Sequence, residues 1–194
     1  MNYPGGNKKA YKIYKTYGNR GMDLESDIQL SNEYYLNNDI AIIYKKPTPI
    51  TIAKVNYPSR LEAVITEGYF KTPSTTDYNG IYKGKYIDFE AKETKNTTSF
   101  PLNNIHEHQI RHLKSIDKHG GIGFIIVRFT RLNETYLLTL DKLLDFLYKN
   151  NRKSIPIAFF RKYGHIIKNK YQPRIDYLEI IDEVFFSGGK YEKD

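Results

Sequence analysis

The sequence predicts an α/β fold in which a mixed central sheet is flanked by helices and a two-stranded ribbon projects from it. Three observations lead there. Segments of helical period alternate with apolar, β-branched runs. One of those runs, GFIIVRF (123–129), is continuously apolar and therefore suited to a strand buried on both faces. The stretch 45–72 carries two extended runs around a turn. With 194 residues and 40% apolar content the chain suits one domain with a core of ordinary size, not two.

Residues 1–19 are polar, rich in Lys, Gly and Asn, and lack hydrophobic period, so they are expected to form a flexible basic arm ahead of a single domain over 20–194. Asn19 offers an N-cap, and Leu24, Ile28 and Tyr35 fall at helical spacing, which predicts an amphipathic first helix with an acidic exposed face. A strand follows at IAIIY (40–44), ended by Pro47 and Pro49. The runs ITIAKV and AVITEGYF, separated by Tyr57-Pro58-Ser59-Arg60, then form the ribbon over 45–72.

Next, Lys83-Gly84 sits between two alternating runs and predicts a β-hairpin, glycine supplying the unusual backbone angle. Asn104 and Glu107 have capping-box spacing for a helix from about 105 to 118, which Gly120 and Gly121 terminate. GFIIVRF and TYLLTL are strands, and DKLLDFLYKN is a helix. IPIAFF and IDYLEIIDEVFF are apolar enough to pack but read equally as helix or strand, and carry no functional signal.

Composition narrows the function. There are 30 Lys and Arg against 22 Asp and Glu, a formal charge of +8, which points to a polyanionic partner, nucleic acid foremost. The 18 tyrosines can stack on bases or bond phosphates, though core packing is their commoner use. The absence of cysteine excludes a disulfide scaffold, a thiolate zinc site and a cysteine nucleophile. No apolar stretch approaches the roughly 20 residues of a membrane span, so a cytoplasmic protein without a membrane partner is expected.

The chemistry concentrates on Asp77, Glu90 and Lys92. Strand alternation puts Glu90 and Lys92 on one face and Ile87, Phe89 and Ala91 toward the core, and the hairpin brings Asp77 back beside them. Two converging carboxylates repel unless a cation joins them, and oxygen ligands favour a hard ion such as Mg²⁺. Lys92 cannot bind that cation. Its ammonium suits orienting or deprotonating an attacking water, or stabilising charge on a phosphate in the transition state, which is phosphodiester hydrolysis. Against this stands the ordinary reading of E-x-K on an exposed strand as an ion pair contributing about 0–1 kcal/mol. Asp77 across the hairpin makes the pattern D-x(12)-E-A-K moderately specific for the PD-(D/E)xK nuclease core.

Gln109 lies on the helical stripe of Ile105, Leu113 and Ile116 where an apolar residue is expected. It is either a core amide satisfied by backbone or a carbonyl directed at the metal site, and pattern alone leaves both open. His106, His108 and His112 crowd one helix, but HQIRH lacks the glutamate of a zinc protease and a third ligand, so a solvated or DNA-facing surface is expected. GGIG (120–123) leads into a strand and lacks the G-K-[ST] ending of a phosphate loop; it reads as a helix stop.

The segments NRGMDLE, KKPTPI, STTDYNGIYKGKYIDFEAKETKNTTSFPL and HEHQI, in that order, resemble the RecU family of Holliday junction resolvases. The likeness runs from Asn19 to GFIIVRF; the C-terminal third is less diagnostic. It implies a restriction-endonuclease-like fold and a bacterial, cytoplasmic, nucleoid-associated homodimer. Such an enzyme uses Mg²⁺, for which Mn²⁺ can substitute, to nick opposing strands of a four-way junction symmetrically in recombination and repair. The family's metal ligands fall on Thr75, Asp77, Glu90 and Gln109, and its catalytic lysine on Lys92. Residues 45–72, including Arg60, match a stalk that enters the junction and meets its phosphates. Glu25, within the GMDLE segment, matches an acid near the metal, although a solvated helix carboxylate is the commoner case. A recombinase or a branch-migration helicase is an expected partner. Two alternatives stay open at this level: a non-catalytic branched-DNA-binding protein, and a restriction- or repair-type endonuclease acting on duplex DNA.

Overall fold

The computed structural model describes residues 23–71 and 75–187. The basic arm expected over 1–19 and the cap expected at Asn19 lie outside the described residues. Helix α1 (Leu24–Asn37) is capped by Asp23, whose Oδ1 accepts a 2.8 Å hydrogen bond from the Ser26 amide. Leu24, Ile28 and Tyr35 are buried, as the spacing required, but so are the polar Asp27, Ser31 and Asn32.

Strand β1 (Ile42–Lys45) leads to a hairpin of β2 (Ile50–Asn56) and β3 (Val64–Phe70) that pair only with each other. Every residue of β2 and β3 is exposed, so this ribbon stands off the core. Next come β4 (Tyr78–Tyr82) and β5 (Lys85–Thr94), joined at Lys83-Gly84. Both turn residues take positive φ, +47° and +74°, the two-residue geometry whose twist matches the flanking strands. At Gly80 the backbone of β1 comes so close that a Cβ would stand 2.1 Å from the Ile42 carbonyl oxygen.

After a short strand β6 (Ser99–Pro101), a 3₁₀ turn over Leu102–Asn104 delivers the extended residue Ile105 into the core, and helix α2 follows (Glu107–Lys118). This displaces the expected cap by two residues. Asn104 belongs to the turn, His106 is the N-cap, and the Gln109 side chain reaches back to accept from the His106 amide at 2.9 Å. Helix α2 stops as expected, with Gly120 at φ +80°.

Strand β7 (Ile122–Phe129) is buried at every position, β8 (Glu134–Thr139) returns beside it, and α3 spans Leu140–Lys149. The apolar C-terminal segments resolve mainly into helix. A short β9 (Ser154–Pro156) precedes α4 (Ile157–Tyr163), then β10 (His165–Ile166) and α5 (Tyr177–Ile181), which runs on into a π-helical turn over Asp182–Phe186.

The main sheet has the order β1-β4-β5-β7-β8-β10, antiparallel except for β5 and β7. That parallel pair is connected through α2, as a parallel pair requires a crossover. Alternation along β7 divides the interior into two cores. Phe124 and Ile126 pack with Ile87, Phe89, Ile28 and Tyr177 on the side of α1 and α5. Ile125, Val127 and Phe129 pack with Leu113, Leu143 and Phe160 on the side of α2, α3 and α4. The mixed sheet between helical layers, with a separate two-stranded ribbon, is the fold class expected. Charge ties α1 to β7 and to the C-terminal segment: Asp27, almost fully buried, meets Arg128 of β7 at 2.7 Å and Arg174 at 3.1 Å.

Candidate active site

The apolar core on the α2 side ends at β5. There β5 presents Asp88, Glu90 and Lys92 in succession, while Ile87 and Phe89 face the opposite core. Asp88 and Glu90 are both fully buried. Such carboxylates are costly unless paired, so this row marks where packing gives way to chemistry. Beneath it, Tyr78 and Phe124 stack on the two faces of Phe89 with centroids 4.8 Å apart in each pair, giving the row a rigid floor.

The register that pairs Tyr78 with Phe89 puts Asp77, one residue before β4, across from Glu90. The Asp77 amide donates to Glu90 Oε2 at 3.1 Å, and the Lys92 ammonium lies 2.5 Å from Glu90 Oε1. That ammonium is off hydrogen-bond direction, leaving Oε1 buried without a directed donor. Burial pushes the Glu90 carboxyl up to about 8; the Asp77 carboxyl acts in the same direction and Lys92 opposes it.

Asp77, Lys92, Thr75 and Gln109 line one groove of about 650 Å³, together with Lys45, Lys46, His106 and His108. Glu90 lies behind it, reached through Asp77 and Lys92. The rim is cationic and the floor anionic. A smaller hollow of about 240 Å³ on the other side of Asp77 and Lys92 is lined by Asp23 and Glu25, and Glu25 is exposed and ion-paired with Lys45.

Four of the five residues expected at the site therefore share one groove and the fifth touches two of them. Gln109 does what the bland reading required, accepting a backbone N–H as the helix cap. An amide oxygen has a second lone pair, so capping leaves it one acceptor site. Arg60 is elsewhere, in the exposed turn between β2 and β3.

A hard divalent cation fits what is present. The donors are oxygens, two of them anionic, and one buried carboxylate oxygen lacks a directed partner. Among the described residues no three His, Cys, Asp or Glu side chains are grouped so as to hold a metal, so the neutral oxygens of Thr75 and Gln109 would have to complete such a site.

His106, exposed at the cap, and His108, whose Nε2 is buried without a partner, line the groove, whereas His112 departs from the expected surface: it is partly buried with Nε2 3.1 Å from Asp88 Oδ2. Sequence reasoning also missed Lys46, whose ammonium lies 2.7 Å from Asp88 Oδ2. A lysine in KKPTP gives no period to read.

The family profile for Recombination protein U matches residues 19–183. The chain belongs to the RecU family. Its RecU relatives match nearly end to end. The "Holliday junction resolvase RecU" of Geobacillus sp. (strain WCH70) is 55% identical over 95% of this chain and 98% of its own. The protein of the same description from Staphylococcus aureus (strain JH9) is 54% identical over 95% and 96%. A solved Holliday junction resolvase, Hjc of Archaeoglobus fulgidus, aligns with 72% of this RecU-family chain and 94% of its own at a TM-score of 0.40 and 10% identity, too distant a likeness to bear on the fold.

Proposed function

We propose that this chain is a Holliday junction resolvase, a structure-specific endonuclease that nicks opposing strands of a four-way junction in recombination and repair. The observation that carries the reading is Asp77 against Glu90, with Lys92 2.5 Å from the Glu90 carboxylate, behind a groove walled by lysine and histidine. Identity of 55% and 54% over nearly the whole of both chains with relatives named as RecU resolvases supports it.

Thr75, Asp77, Glu90 and Gln109 would hold the cation, which we take to be Mg²⁺ with Mn²⁺ as a substitute. Bound there, it would supply Lewis acidity toward a phosphate oxygen and lower the pKa of a bound water. Asp77 presents its carboxylate into the groove. Glu90, held by the Asp77 amide, would supply the second carboxylate. Lys92 reaches the groove from the same strand face, where its ammonium orients the attacking water or neutralises charge on the scissile phosphate. Lys45, exposed on the rim, attracts the DNA backbone.

The exposed β2–β3 ribbon, with Arg60 in its turn, serves as the stalk that enters the junction centre, and the basic N-terminal arm adds phosphate contacts. Symmetric nicking needs two sites, hence a homodimer. A recombinase or branch-migration helicase is the fitting protein partner. Among the described residues no helix is long and apolar enough to cross a membrane. We place the protein in the bacterial cytoplasm with the nucleoid.

The test is cleavage of mobile and immobile four-way junctions beside a linear duplex, with Mg²⁺ or EDTA, by the wild type and Asp77→Asn. Symmetric nicks in the mobile junction that vanish with EDTA or Asp77→Asn, while binding persists, are expected. Cleavage of the linear duplex would replace this reading with a restriction- or repair-type nuclease. Tight junction binding with no cleavage under any condition would replace it with an architectural DNA-binding role.

A further inference from the structure

Asp88 sits on the same face of β5 as Glu90, two residues away, with none of its surface exposed. Its carboxylate is met by four side chains. Lys46, just past β1, reaches Oδ2 at 2.7 Å; Thr76, ahead of β4, donates its hydroxyl to Oδ1; Tyr86 on β5 donates to Oδ2 at 3.2 Å; and His112 on α2 brings Nε2 within 3.1 Å of Oδ2. An apolar residue packed into this position would avoid the desolvation of a buried charge. Stability alone therefore does not explain Asp88.

The network converges on the Asp77 segment. The Lys46 amide donates to the Asp77 carbonyl at 2.7 Å, and the Lys46 ammonium donates to Thr76 Oγ1 at 3.0 Å while ion-paired with Asp88. Asp77 lies just beyond the paired residues of β4, since the β1 ladder ends at Lys45 opposite Tyr78 and the β5 ladder at Phe89 opposite Tyr78. One lysine thus grips Asp77 through its backbone and Thr76 through its side chain. It fastens both to a carboxylate on the strand that carries Glu90.

We propose that Lys46 and Asp88 form a positioning clamp, acting through Thr76, that fixes the spacing of Asp77 against Glu90. Neither residue touches substrate in this role. The clamp rests on the metal-site reading given above for its functional value, but its structural claim stands independently. The last β1–β4 backbone bond and the Lys46 side-chain contacts to Thr76 and Asp88 together hold the end of this strand. Partners that orient metal ligands typically affect metal affinity by about 10- to 100-fold when removed.

The experiment uses the full-length protein with Lys46→Met, which keeps the stem and removes the ammonium, and Thr76→Val, which keeps the shape and removes the hydroxyl. Thr76→Ser is the conservative control, and circular dichroism confirms folding of each. Two quantities are read: hydrogen exchange of the Asp77 amide without metal, and Mn²⁺ binding followed by the electron paramagnetic resonance of the free ion. Junction affinity in EDTA is measured alongside. Lys46→Met and Thr76→Val are expected to speed exchange at Asp77 and weaken Mn²⁺ binding by about 10-fold or more, with junction affinity unchanged and Thr76→Ser close to wild type. Wild-type exchange at Asp77 in Lys46→Met and Thr76→Val would overturn the clamp. So would a loss of junction affinity in Lys46→Met with Thr76→Val silent, because Lys46 would then be a phosphate contact. If Asp77→Asn binds Mn²⁺ as the wild type does, the metal reading fails, and amide exchange still decides the clamp by itself.

Discussion

At the scale of single residues the site is built on an unfavourable burial. Glu90 is enclosed on β5, and its carboxyl is pushed up to about 8, chiefly by that enclosure. A carboxyl raised in the folded state binds its proton more tightly there than in the unfolded chain. Between the ordinary value of 4.5 and about 8 the folded state therefore holds the extra proton, and stability falls as pH rises through that window. The metal-free protein should accordingly show a falling melting temperature from pH 5 to 8 in EDTA at this residue's expense. Glu90→Gln, a neutral near-isostere, should flatten that fall and melt several degrees higher than wild type at pH 8; thermal melts across the range check it. Equal pH slopes in the two proteins would refute the assignment. The same proton would compete with a cation at the proposed metal site, which would then trade stability for affinity, a common cost of function.

At the scale of elements the β2–β3 ribbon contrasts with the rest of the chain. A strand pair of this size is marginal alone in water, and here it has no buried face. It contributes little to the core, while its exposed residues include Leu61 beside Arg60 in the turn and Tyr69 and Phe70 at its base. Replacing residues 51–69 by a short Gly/Ser linker should leave the melting temperature of the remaining protein nearly unchanged and abolish junction cleavage. Calorimetry and a junction assay would measure the two. Collapse of the fold on replacement would show that the ribbon is structural. The β4–β5 hairpin is the opposite case, because its two-residue turn sets the register, and the register places Asp77 across from Glu90.

At the scale of the whole molecule the formal charge of +8 drives association with a polyanion, but the architecture decides what is cut. If two sites act on opposing strands, a dimer of wild-type and Asp77→Asn subunits, made by co-expression with two tags, should nick one strand of a junction and release no linear duplexes. Full resolution by the mixed dimer would disprove the division of labour. How much of this was legible beforehand follows from the range of each signal. Turn chemistry at Lys83-Gly84, helical spacing in α1, the continuous apolar run of β7 and the D-x(12)-E-A-K spacing are local in the chain, so the sequence by itself determined the fold class, the hairpin and the proximity of Asp77, Glu90 and Lys92. The cap at His106 was missed because the 3₁₀ turn must first carry Ile105 into the core, which local spacing does not report. Whether IPIAFF and IDYLEIIDEVFF are helix or strand, and that Asp27 binds Arg128 and Arg174, was decided only by tertiary packing. So was the burial of Asp88 among Lys46, Thr76, Tyr86 and His112: period-2 alternation assigns a residue to a face, and only the folded molecule says what covers that face.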